Sequence, residues 1–544
     1  MIIYFNKETI NSIFERLKRL KMLNIKKLLK TAGFMIAATL LAKLAGMYRD
    51  ILFASLFGTG VEAQAYLTAS RIPLLFFDIT LGAAVSAAFI PVYNGFVEEK
   101  RQKDARVFAN TFITLVFLIT GILCVIGIIF SGPIVGLIGN DLNPETKELA
   151  SKLVIVLFPS MIFTALAYSV AGLLQSLGEF NIPAAISLVS NGFMVIYLLS
   201  CGSKLGIFGV SVAMLIAWSF QLIIEIPALI KKKYNFKPTL NFKNEGIKKA
   251  SLLALPILIS SWVQPINTTI NIYLASGIAG GQAVPALDYA NKLYIILVGV
   301  LTYAVSNLIF PSLSRAAENP DKSEFKAISK NALRIICALV LPIMALFIVL
   351  STPLVRLVYE RGEFTSQSTV LTASALMFYS MGMLGFGVQE IANKIFYSLK
   401  DGKTPMYVAM AGITLNIVLS FILIKGLKAG LTALAFSASV AASLIGGALV
   451  VIINKRYGLL DKKFFINFLK QIISAVLMGA IAHFISCTVQ VADTFGGKVL
   501  SLVLPAGVAL LAYVLMLGLL KTEEFGDIKT LLNKSKNEIK TEEN

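Results

Sequence analysis

The sequence predicts an all-α polytopic membrane protein of about fourteen transmembrane helices, with two six-helix lobes related by an internal repeat plus two C-terminal helices. Three observations carry that reading. Of the 544 residues, 57% are hydrophobic and 15% charged, which no soluble domain of this size matches. Apolar runs of the ~20 residues that a spanning helix needs, at ~1.5 Å rise each, recur almost end to end. Landmarks of the first half also return about 220 residues later in the second.

The chain opens on a polar segment, 1–30, with Lys7, Arg16, Lys18, Arg19, Lys21, Lys26, Lys27 and Lys30. It lacks the short apolar core and cleavage site of a secretory leader, so it reads as a basic cytoplasmic arm near anionic lipid. The first lobe, 31–231, has helices near 32–57, 66–95, 106–130, 151–177, 183–201 and 205–230. A basic linker, 232–249, leads to the second lobe, 250–454, with helices near 250–278, 286–313, 329–355, 369–398, 405–425 and 429–453. Helices near 464–489 and 498–520 form the terminal pair, 464–520, before a cytoplasmic tail, 521–544.

Orientation follows from the Lys and Arg of short connections, which stay cytoplasmic. Lys231, Lys232, Lys233, Lys237, Lys243, Lys248 and Lys249 follow the sixth helix, and Arg315, Lys322, Lys326 and Lys330 the eighth. The stretches 58–64 and 277–288 contain no Lys or Arg, although Arg356 and Arg361 follow the ninth helix. Both termini therefore face the cytoplasm. The net charge of +19 is spread through loops rather than gathered on one face, which argues against nucleic acid.

The repeat is visible residue by residue. Val85-Ser86 and Phe89-Ile90-Pro91 recur as Val305-Ser306 and Ile309-Phe310-Pro311, and Pro133 as Pro353, each 220 residues on. Pro183 recurs as Pro405, 222 residues on. Parallel repeats of this kind are one plan of alternating-access transporters, with substrate between the lobes.

Ionisable groups within spans are costly, roughly 2.5 kcal/mol or more, so they face a cavity or a partner. Helix one carries Lys43 and the pair Arg49-Asp50, which is either a local ion pair or part of a binding site. Arg71 precedes Ile72-Pro73 in helix two, and its repeat counterpart, 221 residues on, is Lys292, next to Asn291. Two cations at matching places suit an anion, and a diphosphate would favour the planar fork of arginine. Asp78, Glu225 and Glu390 are candidate counter-ions or coupling acids. Asn267 and Asn271, and Gln389 and Asn393, lie one turn apart and either line a monovalent-cation site or bond helix to helix. His483, the only histidine, lies outside the repeats and gives no support to a proton relay through them. Cys124, Cys201, Cys337 and Cys487 are scattered, so no metal site or disulfide framework is indicated. There is no phosphate-binding glycine loop, HExxH or nucleophile elbow, so the chain reads as a transporter with no cofactor, not an enzyme. The glycines between Gly277 and Gly281 read as a flexible outer loop.

From Gly46-Met47-Tyr48-Arg49-Asp50 onward the sequence resembles the MurJ/MviN family of lipid II flippases, within the multidrug/oligosaccharidyl-lipid/polysaccharide exporter superfamily. The likeness runs through Phe57-Gly58, Arg71-Ile72-Pro73, Phe89-Ile90-Pro91-Val92, Tyr289-Ala290-Asn291-Lys292, Phe310-Pro311-Ser312-Leu313-Ser314, and Phe396-Tyr397-Ser398-Leu399-Lys400-Asp401 with Thr404-Pro405. It implies fourteen helices, two rocking lobes, a cationic cavity for diphosphate and sugar, and a groove on the last two helices for the polyprenyl tail. The family's essential arginines fall on Arg49 and Arg71, and its eighth-helix arginine on Lys292, which keeps the charge and loses the fork. An acid of some members falls on Gln64, and their sodium site does not map cleanly, so coupling to a monovalent cation or to membrane potential stays open. The resemblance implies lipid II as substrate, in contact with membrane lipid and the cell-wall synthesis machinery. Alternatives are a flippase for another polyprenyl-diphosphate polysaccharide, a multidrug/cation antiporter, or a scaffold without transport.

Overall fold

A computed structural model of the chain describes residues 7–80, 88–489, 492 and 494–526, with side chains from residue 30 onward except 32, 256, 257, 259, 260 and 297. The side chains of the N-terminal arm, the pair Val85-Ser86 and the tail beyond 526 lie outside the described residues. Among the described residues the regular structure is helical, with no strand. The chain opens with α1 (Lys7–Phe57), α2 (Val61–Thr80) and α3 (Ile90–Glu98). Then come α4 (Gln102–Ile129), α5 (Ser131–Ile138), α6 (Pro144–Leu157), α7 (Ser160–Ser176), α8 (Asn181–Ser200), α9 (Gly206–Ile223) and α10 (Ile226–Lys231). The second half has α11 (Glu245–Ser261), α12 (Val263–Ala275), α13 (Ala283–Glu318), α14 (Ser323–Val349), α15 (Ser351–Tyr359), α16 (Ser366–Ser380) and α17 (Met383–Ser398). It closes with α18 (Lys403–Phe421), α19 (Thr432–Tyr457), α20 (Lys462–Thr488) and α21 (Phe495–Leu519).

Among the described residues, ten helices are long and apolar enough to cross a membrane, and α16 with α17, bent by 46° at their break, make an eleventh. The chain is an integral membrane protein. The expected spans near 32–57, 66–95 and 250–278 fall on α1, on α2 and α3, and on α11 and α12, which are not among the eleven. α3, α11 and α12 are 9, 17 and 13 residues long, each short of a full span by itself, and α2 carries Glu62, Arg71 and Asp78, which lower its mean apolarity.

Local structure repeats along with the prolines. Pro133 and Pro353 each take the third position of a short helix after a long one: α5 (8 residues) after α4 (28), and α15 (9) after α14 (27). Pro183 and Pro405 each take the third position of α8 and α18. In a first turn proline costs little, because its missing N–H has no intrahelical acceptor there. Pro91 likewise opens α3, whereas Pro311 lies inside the 36-residue α13.

By packing, the chain divides into two units. One takes the chain up to Leu52, then Ile72–Ser131 and Leu153–Ser261. Its core contains the stacked rings of Phe89 and Phe108, with Phe112 and Phe96 tilted against them, centroids 5.0 to 6.0 Å apart. The 232–249 linker is tied to α4, where Tyr234 donates to Asn110 Oδ1 at 2.8 Å and the Thr239 N–H to Thr114 Oγ1 at 3.2 Å.

The other unit takes Phe53–Arg71, Gly132–Lys152 and the chain from Trp262. Here α17 and α19 meet through small residues: a Cβ on Gly446 would lie 2.5 Å from the Gly385 carbonyl oxygen, while Gly447 faces open space. The end of α1 meets the loop after α15 backbone to backbone. The Glu363 N–H donates to the Ser55 carbonyl at 2.9 Å, and Gly58 (φ 52°) and Gly362 (φ 57°) occupy the left-handed region. At the far end of the unit, Arg334 pairs with Glu523 and with Glu524 (3.3 Å), and Asn467 donates to both oxygens of Glu524. The Gly277–Gly281 turn is exposed at Gly277, Ala279 and Gly280 but packed at its end: a Cβ on Gly281 (φ 89°) would lie 2.4 Å from Gln64 Oε1, so close approach explains this glycine better than looseness.

Candidate functional site

The pocket that concentrates charge lies wholly within the second unit. Arg71 comes from α2, two residues before Pro73, which denies the Ala69 carbonyl its usual helical donor. Asp288 and Lys292 are four residues apart on α13, on one face of the helix. Arg71 Nη2 lies 2.7 Å from Asp288 Oδ1, and Lys292 Nζ lies 2.7 Å from Asp288 Oδ2. One carboxylate, its side chain 11% exposed, thus serves two cations. The cavity of about 160 Å³ beside them is lined by Arg71, Asp288, Asn291, Gln264, Asn271 and Tyr379 among others. With two cations against one acid the charged groups carry a net positive charge, while the amides and the phenol add donors and acceptors without charge.

Arg49 belongs to the first unit. Its Nε and Nη2 donate to Asp50 Oδ1 at 3.1 and 2.8 Å, and its Nη1 donates to Asn191 Oδ1 at 2.9 Å. Asn191 in turn donates to the Ala42 carbonyl, so the guanidinium is held by α1 and α8 together. Lys43 is exposed on α1, and Asp78 is half-buried on the part of α2 that belongs to this unit. Glu225 is fully buried at the break between α9 and α10, and neither carboxyl oxygen has a hydrogen-bond partner.

Of the two amide pairs, Asn271 lines the pocket, and Asn267 both lines it and accepts from Asn416 Nδ2 at 3.0 Å, joining α12 to α18. Gln389, Glu390 and Asn393 are half-buried on α17, outside the pocket lining. Gln64 is buried, with its Nε2 donating to the Thr59 carbonyl at 3.0 Å. His483 lines a second cavity of about 300 Å³, otherwise built from apolar side chains and Gly479 on α14 and α20.

The residue that sequence reasoning missed is Asp288. Its signal was an acid four residues before Lys292, the spacing at which helical side chains meet. Gln264, three residues before Asn267, was missed in the same way.

The many-helix membrane fold defines the class of protein, and the comparisons with known proteins sort it further. A multidrug-resistance MATE transporter of the MOP superfamily, solved facing inward, superposes with a TM-score of 0.63 at 15% identity, over 78% of this chain and 98% of that one. That likeness establishes the fold. The solved structure described as "Lipid II flippase MurJ, inward closed conformation" superposes with a TM-score of 0.74 at 27% identity, over 87% of this chain and 97% of that one. The family model "Lipid II flippase MurJ" matches residues 53–502, and the chain belongs to that family: it is a transporter, not an enzyme. Among relatives, the lipid II flippase MurJ of Burkholderia cenocepacia is 25% identical over 462 residues, 83% of this chain and 88% of its own length. A Vibrio cholerae protein described as a probable lipid II flippase MurJ is 28% identical over 413 residues, 73% of this chain and 78% of its own.

Proposed function

We propose that this chain moves lipid II from the cytoplasmic to the outer leaflet by alternating access between lobes 31–231 and 250–454, with both termini cytoplasmic. The observation that supports it best is the convergence of Arg71 and Lys292 on Asp288, at a small polar pocket that Arg71 and Asp288 line. A diphosphate cannot cross ~30 Å of hydrocarbon bare, because its charge would lose hydration. Arg71, with two nitrogens to offer, takes one phosphate, and Lys292 acts as a point charge on the other. Asn291 and Lys43 extend the head-group path in this reading, while Arg49, paired with Asp50 and bonded to Asn191, holds α1 to α8. In this reading the pocket takes the diphosphate, because Arg71 and Lys292 are the groups that complement phosphate. The apolar cavity between α14 and α20 offers a place for the polyprenyl tail.

Drive comes in this proposal from the membrane potential, worth ~2.3 kcal/mol per charge per 100 mV, or from a monovalent cation, with no cofactor. The cell-wall synthesis machinery is the proposed partner that supplies and consumes the lipid. The deciding experiment supplies wild type or Arg71→Ala to cells depleted of their own lipid II flippase and follows translocation. Rescue by wild type and failure of an equally expressed Arg71→Ala protein are expected. Failure of wild type moves the substrate to another polyprenyl-diphosphate glycan, and rescue by both removes Arg71 from the mechanism.

A further inference from the structure

Asp288 has no place in the binding scheme so far, yet it is the group nearest to both cations. We propose that Asp288 is a resident anion that holds the empty site shut electrostatically, that an incoming diphosphate displaces it from Arg71 and Lys292, and that its recapture of them promotes release. This rests on the diphosphate reading of the pocket.

The geometry carries the argument. Each carboxylate oxygen engages a different cation at 2.7 Å, so Asp288 already makes the two-point contact that two phosphate groups would make. It stands four residues from Lys292 on one continuous helix, so the two stay together whatever α2 does. Arg71 arrives from α2 with its side chain 35% exposed, the more open of the two cations, and is the one free to turn toward a ligand. Without an anion, two cations side by side in a low-dielectric site repel each other and lose hydration. Asp288 removes that cost from the empty state. A dianion replaces the single charge of Asp288 with two, so it binds in competition with the carboxylate; tight binding and fast release are traded against each other through this one group. A pocket of cations alone would bind more tightly and let go more slowly.

The test is equilibrium binding of undecaprenyl diphosphate to the purified full chain in detergent, beside lipid II flipping by the same protein in vesicles. Asp288→Asn is expected to bind roughly tenfold tighter than wild type, the factor set by about 1.4 kcal/mol of lost competition, and to flip more slowly. Asp288→Glu, which keeps the charge, is expected to stay within about threefold of wild type. Unchanged or weaker binding by Asp288→Asn overturns the inference, because a purely structural carboxylate gives that result. Should Asp288→Asn not be recovered folded, Lys292→Gln is compared with Lys292→Gln/Asp288→Asn. The double variant is expected to bind more tightly than the single, and equal or weaker binding overturns the inference. If wild type does not bind the diphosphate lipid at all, the diphosphate reading falls first and takes this inference with it, an outcome distinct from binding that ignores Asp288.

Discussion

Arg49 and Arg71 are two arginines beside two aspartates, and they are built for different lives. Arg49 finds its acid at the next residue and its third nitrogen on Asn191, so the whole guanidinium is used up within the first unit. Arg71 finds its acid 217 residues away, shares it with Lys292, and opens onto a cavity. The first arrangement fixes helices to each other, and the second keeps charge available to a ligand. An intramembrane arginine is therefore read from the ownership of its partners rather than from its presence.

The contrast sharpens under mutation. Loss of Arg71 is the largest effect, about 3 kcal/mol of head-group binding or roughly a hundredfold, and the depletion-rescue assay reads it. Lys292→Ala comes next, with a loss of roughly tenfold in diphosphate affinity, whereas Lys292→Arg restores or exceeds wild type because a fork replaces a point charge. Equal affinities for the Ala and Arg variants would show that the lysine does not touch the ligand.

Asn191→Ala attacks the other arginine. It is expected to cost about 1 to 2 kcal/mol of stability by removing the acceptor for Arg49 Nη1, lowering the melting temperature while leaving diphosphate affinity within about twofold. A large change in affinity with no change in melting would place Arg49 with Arg71 as a ligand group.

The smallest effect lies outside the spans. Hydrogen bonds from the Thr404 hydroxyl and N–H, with Arg456 nearby, hold Asp401 at about 2, below its ordinary 3.8. A depressed carboxylate contributes stability that is complete above its unfolded value and is lost as pH falls toward 2. Asp401→Asn should therefore melt slightly below wild type at neutral pH, with the gap shrinking between pH 4 and 2. A gap constant over that range would show that the charge is not what matters.

Much of the helical plan was legible because an apolar run in a membrane protein has one outcome: the backbone must satisfy itself, and each run became one or two helices. Breaks inside runs were not legible. Composition changes little across the bend between α16 and α17, whereas the interruption at Trp262 stands where Pro265 denies the Ser261 carbonyl its helical donor. Arg71 and Lys292 could be found because the repeat placed them at equal depth. Ties across long separations could not: Asp141 with Lys425 and Glu360 with Lys498 join segments whose sequences carry no mark of each other. The Gly277–Gly281 turn was misread because a glycine needed for close approach and a glycine needed for freedom look the same in sequence.

The backbone tie between the end of α1 and the loop after α15 has a consequence for how this sequence can drift. A side chain at position 58 would put its Cβ 2.3 Å from the Glu363 carbonyl oxygen, and one at position 362 would put it 2.2 Å from that of Ser55. In each case the obstacle is main chain, which no compensating substitution on the opposite strand can trim away. The two glycines, 304 positions apart, therefore behave as a single inherited character: a lineage keeps both or rebuilds the joint.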